Sequence, residues 1–382
     1  MNWATKLLCS RTGVSAPLDE PAFLSPAGAP WLVDFDLDRD KGRFLRDQLP
    51  RRPWSMWRYR ELLPVSDFEG RTDLGEGGTP LVPLRRAVAL NSRVWFKEES
   101  GNPTGSFKAR GLTMTLSRAR ELGAPGVELA SAGNAALATA AYSASAGLPC
   151  RVAVPEDTPP TIAERCRLYG AEVLIHGRNL VESGAALAAT APGGPPFWNV
   201  STLKEPYRLE GKKTMGLELA EQFDFELPDW IFYPTGGGTG IIGMAKAFDE
   251  LETLGLVGPK RPRFVSVQMA GCAPIIKAFN EGKESAEPWH NPQTRAWGLR
   301  VPQAIGDFLI LRALRATDGR AVAVDEASLE ETTRRLASEE GRWVGPEGAA
   351  CFAAFEELQR DGVIGAGESV VLFQTGHPAN YA

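Results

Sequence analysis

The sequence predicts an α/β protein of two domains, with open, mostly parallel sheets flanked by helices. Three observations predict it. Apolar, strand-like runs alternate with helical patterns from Arg93 to Thr202 and again from Glu205 onward; such alternation implies right-handed crossovers into a parallel sheet. Turns rich in Gly, Ser or Asn stand between strand ends and helix starts, the place where open α/β sheets bind ligands. At 382 residues the chain is too long for one small core and suits two.

Composition narrows the class. A hydrophobic fraction of 43% with 23% charged residues is that of an ordinary globular protein. A net charge of −5 spread over the chain argues against a nucleic-acid surface. The five cysteines lie far apart without metal-ligand spacing, and there are three histidines, so no metal site is expected. No apolar run approaches the ~20 residues that span a bilayer. The start, MNWATKLLCSRTG, has too short an apolar core for a signal peptide. A cytoplasmic location without membrane contact is the expectation.

Taken in order, the arm from Met1 to Pro80 is rich in Pro, Trp and Arg, with weak periodicity. Leu32–Leu37 reads as a strand. Trp54–Leu63 interleaves aromatics with arginines; without a basic excess elsewhere it reads as a clamp onto the body. Gly75–Leu84 is a loop and an extended edge, Pro80 and Pro83 excluding helix. Strand Val94–Phe96 then delivers Ser100–Gly111, SGNPTGSFKARG. Asn102, Pro103 and Gly105 turn the chain onto helix Ser106–Leu122, with Ser106 as N-cap. Lys108 falls in the first turn, at the positive end of the helix dipole. A lysine held there loses charge readily and becomes a nucleophile and carbonyl trap.

Strands Gly126–Ala130, Arg151–Val154 and Ala171–Ile175 follow, each succeeded by a helix: Asn134–Ala146, Pro160–Tyr169 and Leu180–Thr190. The first helix is so rich in Ala and Ser that its neighbours must approach closely. The turn Ser131-Ala132-Gly133-Asn134 offers backbone N–H groups that can take a carboxylate. Glu205–Thr214, EPYRLEGKKT, places Arg208, Lys212 and Lys213 at the head of a helix. Strand Trp230–Tyr233 runs into Pro234–Gly240, PTGGGTG, and then helix Ile241–Leu254. Strand, Gly-rich loop and helix make a phosphate cradle, and no Gly-Lys-Ser/Thr follows, which excludes an ATP loop. Strand Arg263–Gln268, helix Cys272–Glu281, a long loop from Glu284 to Val301 beside the site entrance, and helices Gln303–Ala316 and Ser328–Glu340 around strand Ala321–Val324 come next. Gly345–Ala350 opens another helix. Strand Ser369–Phe373 ends in Gln374-Thr375-Gly376.

NPTGSFKARG resembles the cofactor-lysine segment of fold type II pyridoxal-phosphate enzymes, threonine synthases in particular. EPYRLEGKKT is similar to their N-P-Y-R-x-E-G-x-K-T segment, and PEGAA at 346–350 resembles another family element. The resemblance covers Leu32 to Tyr381 in family order. It implies that Lys108 binds pyridoxal phosphate covalently and acts as the catalytic base. It implies a cofactor site of Phe107, Lys108, Asn134, Gly236, Gly237, Gly238, Thr239, Gly240 and Thr375, Asn134 meeting the phenolic oxygen and Thr375 the ring nitrogen. It implies a substrate site of Thr104, Ser131, Ala132, Gly133, Ser201, Arg208 and Lys213, with Arg208 at a substrate phosphate. Glu347 and His377 receive no catalytic role. Threonine synthases often carry two Cys pairs before the first strand. Here only Cys9 remains, Leu24 and Ala27 standing at the second pair, so packing is expected to replace zinc.

The implied architecture has a small domain over 97–204, a large domain over 205–382 joined by the arm 1–96, and the cofactor in the cleft between. The implied reaction converts O-phosphohomoserine and water to threonine and phosphate by β,γ-replacement, in a homodimer. The alternative is a serine/threonine deaminase, or a β-replacement enzyme on another activated amino acid. The GGGTG loop and the ending Gly376–Tyr381, which lacks the family's lysine, favour that alternative.

Overall fold

The computed structural model describes residues 2–88, 92–190 and 195–381. Three sheets organise it. In the arm, β1 (Ala4–Cys9), β2 (Ser15–Ala16) and β3 (Trp31–Phe35) form an antiparallel sheet in the order β2-β1-β3. Of these the sequence predicts only β3; β1 has an irregular register against it and β2 has two residues, too little for a periodic pattern. Helix α1 (Arg39–Gln48) follows, its N-terminus capped by the Asp38 side chain.

A six-stranded sheet follows, to which the arm contributes β4 (Leu81–Pro83) and β5 (Arg93–Glu98). Next in the chain come α2 (Lys108–Glu121), β6 (Val127–Ala130), α3 (Asn134–Ala146), β7 (Cys150–Val154), α4 (Pro160–Leu168), β8 (Glu172–Ile175), α5 (Leu180–Ala189) and β9 (Trp198–Asn199). The strands β6 to β9 make a separate, wholly parallel sheet in the order β8-β7-β6-β9. After α6 (Tyr207–Gln222) come β10 (Trp230–Pro234), α7 (Thr239–Thr253), β11 (Arg263–Met269), α8 (Pro274–Asn280), α9 (Asp307–Ala316), β12 (Arg320–Val324), α10 (Glu326–Glu340), α11 (Pro346–Arg360) and β13 (Ser369–Gln374). The large sheet runs β12-β11-β10-β13-β5-β4, parallel except for the antiparallel edge β4. β10 is buried on both faces, hence its unbroken run Trp-Ile-Phe-Tyr.

Helix α6 sits at the centre, buried from Tyr207 to Ala220 and packed on α2 and α7. Its polar sequence reads as a surface helix, but small residues at the crossings bury it. A Cβ on Gly211 would lie 1.9 Å from the Arg110 carbonyl oxygen, and one on Gly216 would lie 2.9 Å from Ala247. The arm's aromatic clamp grips the same helix: Arg58 pairs with Glu221 at 2.7 Å, and Tyr59 Oη donates to Glu221 at 2.6 Å. Trp57 and Tyr142 both donate to the buried carboxylate of Glu76. Among the described residues no helix is long and apolar enough to cross a membrane.

Candidate active site

The lysine loop is fixed from three sides. Arg110, just after the loop in sequence, places Nε and Nη2 at 2.7 Å on the two oxygens of Glu99, and Nη1 at 3.1 Å on Glu218. Lys97 pairs with Glu218 from β5. All four side chains are essentially inaccessible. Asn102 donates to Glu99 and accepts from Gly77. On the third side the chain's last segment closes over the loop. Phe107 N–H donates to Thr375 O at 3.0 Å, His377 N–H to Gly105 O at 2.8 Å, and Asn380 Nδ2 to Thr104 O and Gly105 O. Thr104 is held at φ 63 with its buried hydroxyl unpartnered, a conformation non-glycine residues keep only when their surroundings impose it.

Helix α2 begins at Lys108, not Ser106. Ser106 is extended, its hydroxyl is buried without a partner, and it caps nothing. The expected N-cap is therefore corrected: the bridge between Ser106 and Gly376 keeps residue 106 in extended pairing.

Lys108 is half-buried, with Nζ 4.4 Å from the centroid of the Phe107 ring. Burial, then the nearby Arg208 cation, lower its amine to about 7, against the opposing pull of Glu347. Phe107 stands edge-on to Tyr233 at 6.0 Å. Tyr233 in turn lies against the glycine loop: a Cβ on Gly240 would fall 2.0 Å from its Cζ. Residue 108 and the loop 236–240 thus meet across two rings.

The glycines are there because nothing else fits. A Cβ on Gly236 would meet Gly298 O at 2.5 Å, and one on Gly237 would meet Thr202 at 2.8 Å. At Gly238, which has φ +73, it would meet Ile310 at 2.1 Å. Behind them α7 begins at Thr239, and a helix's first amides have no partner within the helix. We expect Gly240→Ala to cost ~1–3 kcal/mol through overpacking against the buried Tyr233 and to weaken cofactor retention. Thermal unfolding of the apoprotein and the cofactor content of the purified variant check this.

Arg208 enters the same region from α6. It is 1% exposed; Nη1 donates to Val200 O at 2.8 Å, while Nη2 is buried without a partner. Burial lowers its guanidinium to about 10, offset by Glu205. Ser201 stands in the adjoining turn, and Thr202 abuts Gly237. Glu205 accepts from the N–H groups of Tyr207 and Arg208 and from Thr115.

Two expected substrate residues lie otherwise. Lys213 faces away, ion-paired with Glu210 at 2.7 Å and Glu250 at 2.8 Å, 3.8 Å from the Phe35 ring. It is committed to the α6–α7 contact, being one position round the helix from Lys212. Ser131 spends its N–H on Ala153 O at 3.0 Å. That leaves Ala132, Gly133 and Asn134 to offer amides. Asn134 Oδ1 accepts from Asn380 at 2.6 Å, and its Nδ2 lies against Gly376.

The geometry adds residues that sequence reading does not single out. Asn380 ties the lysine loop to Asn134, and Arg165 of α4 donates to it at 3.0 Å. The Tyr381 hydroxyl lies against Gly133. Glu347, at the start of α11, accepts from Gly298 N–H at 2.9 Å. Burial raises its carboxyl above the usual range, opposed by that N–H and by Lys108. All are far from the motifs in sequence and carry no local signal. Arg300 pairs with Asp157 at 3.3 Å across the entrance, linking the long loop 284–301 to the small sheet.

This site presents an amine of reduced basicity, a cradle of amides at a helix start and a free guanidinium edge. These are the parts needed to hold an aldehyde-bearing phosphate ester, and the residues fit pyridoxal phosphate. The chain matches the pyridoxal-phosphate dependent enzyme family over residues 72–376 and belongs to it; it is a fold type II enzyme whose cofactor is pyridoxal phosphate. Within the family it is a threonine-synthase-like lyase. It is 31% identical to the threonine synthase of Methanocaldococcus jannaschii and 34% to that of Methanosarcina acetivorans, covering 97% of this chain and 91% of each relative. Among solved structures it resembles a threonine deaminase from Solanum lycopersicum, with a TM-score of 0.66 at 20% identity over 94% of this chain and 93% of that one. It also resembles a second, bacterial-sized threonine deaminase (T.th.), with a TM-score of 0.62 at 26% identity over 77% of this chain and 92% of that one.

The lowered Lys108 has a measurable consequence. Only the free amine attacks an aldehyde, so we expect the rate at which apoprotein loads pyridoxal phosphate to rise with pH and to bend near 7. Removing the Arg208 cation eases protonation of Lys108, so Arg208→Gln shifts the bend to higher pH. Absorbance followed after mixing, at a series of pH values, checks both.

Proposed function

We propose that the protein converts O-phosphohomoserine and water to threonine and inorganic phosphate by β,γ-replacement. The observation that carries this reading is Arg208, whose buried and unpartnered Nη2 lies within electrostatic reach of Lys108. A guanidinium edge suits a phosphate dianion, and a substrate without one would leave this charge buried and unmatched. The threonine synthases at 31–34% identity support the same substrate.

Pyridoxal phosphate, when bound, supplies an electron sink for the carbon bearing the amino group. The chain supplies the rest. Lys108 takes the α-proton, which its reduced basicity permits near neutral pH. A proton is then lost from Cβ and the γ-phosphate departs towards Arg208, with Ser201 beside it. The amides of Ala132, Gly133 and Asn134 orient the substrate carboxylate. Closure along the Arg300–Asp157 pair excludes water until it adds at Cβ. We further propose a homodimer in the cytoplasm, as the resemblance implies; sedimentation of the purified protein tests its mass.

The second reading is a deaminase or a β-replacement enzyme. The GGGTG loop and the 26% identity to a threonine deaminase favour it. Phosphate released from O-phosphohomoserine supports the first reading. 2-Oxobutyrate formed from threonine, with no phosphate release, overturns it in favour of the second.

A further inference from the structure

Lys212 and Lys213 are neighbours in one helix, both fully buried, and their surroundings differ completely. Lys213 has two carboxylates within 2.8 Å. Among the described residues Lys212 has none. Its Nζ donates to the carbonyl oxygen of Phe107 and lies 4.1 Å from the centroid of the Phe107 ring. Lys108 stands on that same ring, 4.4 Å from its centroid. The Lys212 side chain starts against Gly243 of α7, and its Cε abuts Gly111 of α2. It therefore threads the junction of three helices and ends at the lysine loop.

The charged groups that face it are Lys108 and Arg110 from α2, Arg208 from its own helix and Glu99 from the segment before the loop. Three are cations. Both oxygens of Glu99 are bonded by Arg110, and α7 contributes a glycine at the contact. Burial and these like charges push the Lys212 amine well below its ordinary value. A buried ammonium with one carbonyl partner is costly, so the junction is built either for a neutral amine or for an ammonium that meets an anion. The cofactor brings one: its phosphate belongs at the first turn of α7, one helical turn before Gly243.

We propose that Lys212 is the counter-cation of the bound cofactor's anionic groups, neutral in the apoprotein and protonated in the loaded enzyme, so that loading takes up a proton at this side chain. The assignment rests on the cofactor and not on the identity of the amino-acid substrate. It also explains why this buried lysine sits one turn of α6 beyond Arg208: the two cations divide the anions, Lys212 serving the cofactor and Arg208 the substrate.

The test uses the full-length apoprotein titrated with pyridoxal phosphate by calorimetry at about pH 7.5, in two buffers of different ionisation enthalpy. The proton count of the wild type is expected to exceed that of Lys212→Gln by about one, and the variant's affinity to fall about tenfold, the worth of one charge-assisted hydrogen bond. Pyridoxal, which lacks the phosphate, is expected to show a smaller difference between the two proteins if the phosphate is the anion served. An equal difference places Lys212 at the ring oxygen, still within the proposal. Equal proton counts and equal affinities in wild type and variant overturn it. Should Lys212→Gln fail to fold, the lysine side-chain amine resonances of the wild type decide. Two lysines titrating below about pH 9 in the apoprotein and none in the loaded enzyme support the assignment. One such lysine in the apoprotein, or a Lys212 unchanged on loading, removes it.

Discussion

Lys108→Ala is expected to abolish turnover and the yellow absorbance of the bound cofactor. The loss in rate should be at least ~10⁴-fold, because the substitution removes both the attachment point and the base that takes the α-proton. The fold should survive. Lys108 makes no ion pair among the described residues, and its Nζ rests on an aromatic ring at the edge of the cleft. Unfolding of the variant should therefore match that of the wild-type apoprotein. Absorbance of the purified variant and phosphate release from O-phosphohomoserine read the two effects separately. A coloured, active variant would remove Lys108 from the chemistry.

Arg110→Ala should be the most damaging single change to stability. It strands Glu99 and Glu218, both inaccessible, with Lys97 as their one remaining cation among the described residues. Breaking a buried pair by removing one partner typically costs ~3–5 kcal/mol. The pH dependence identifies the cause. In the wild type burial alone would raise Glu218, but Arg110 and Lys97 hold it down to about 2. The stability from this depressed group is present above the ordinary glutamate range and is lost only as pH falls towards 2. In the variant the stranded carboxyls rise and take up protons in the folded state, so its deficit should shrink as pH is lowered from about 7 to about 5. Denaturant unfolding at the two pH values measures this. A deficit independent of pH would mean that lost packing, not stranded charge, is responsible.

Much of this is legible in the chain, for a physical reason. The lysine loop, the glycine cradle and the Asn134 turn are local: each is one strand, one turn and one helix start, and its residues are adjacent in sequence. The polar helix α6 is visible as a motif, but its burial is not. Burial depends on Gly211 and Gly216 meeting α2 and α7, which no local pattern reports. The exchange of roles between Lys212 and Lys213 has the same origin. One step along a helix turns a side chain by about 100°, from the lysine loop to the Glu210–Glu250 pair. Ser131 departs from expectation because its amide is claimed by Ala153, a partner fixed only once β6 and β7 pair. Asn380 and Glu347 reach the site from the far end of the sequence, which composition and spacing cannot foresee.

The central claim is that one amine among several buried cations carries the cofactor. Borohydride reduction of the holoenzyme, followed by proteolysis and peptide mass spectrometry, tests it most directly, since it fixes the cofactor to the side chain that holds it. The label is expected on the peptide containing Lys108 alone. A label on Lys212, or on any other lysine with Lys108 unmodified, would contradict the account.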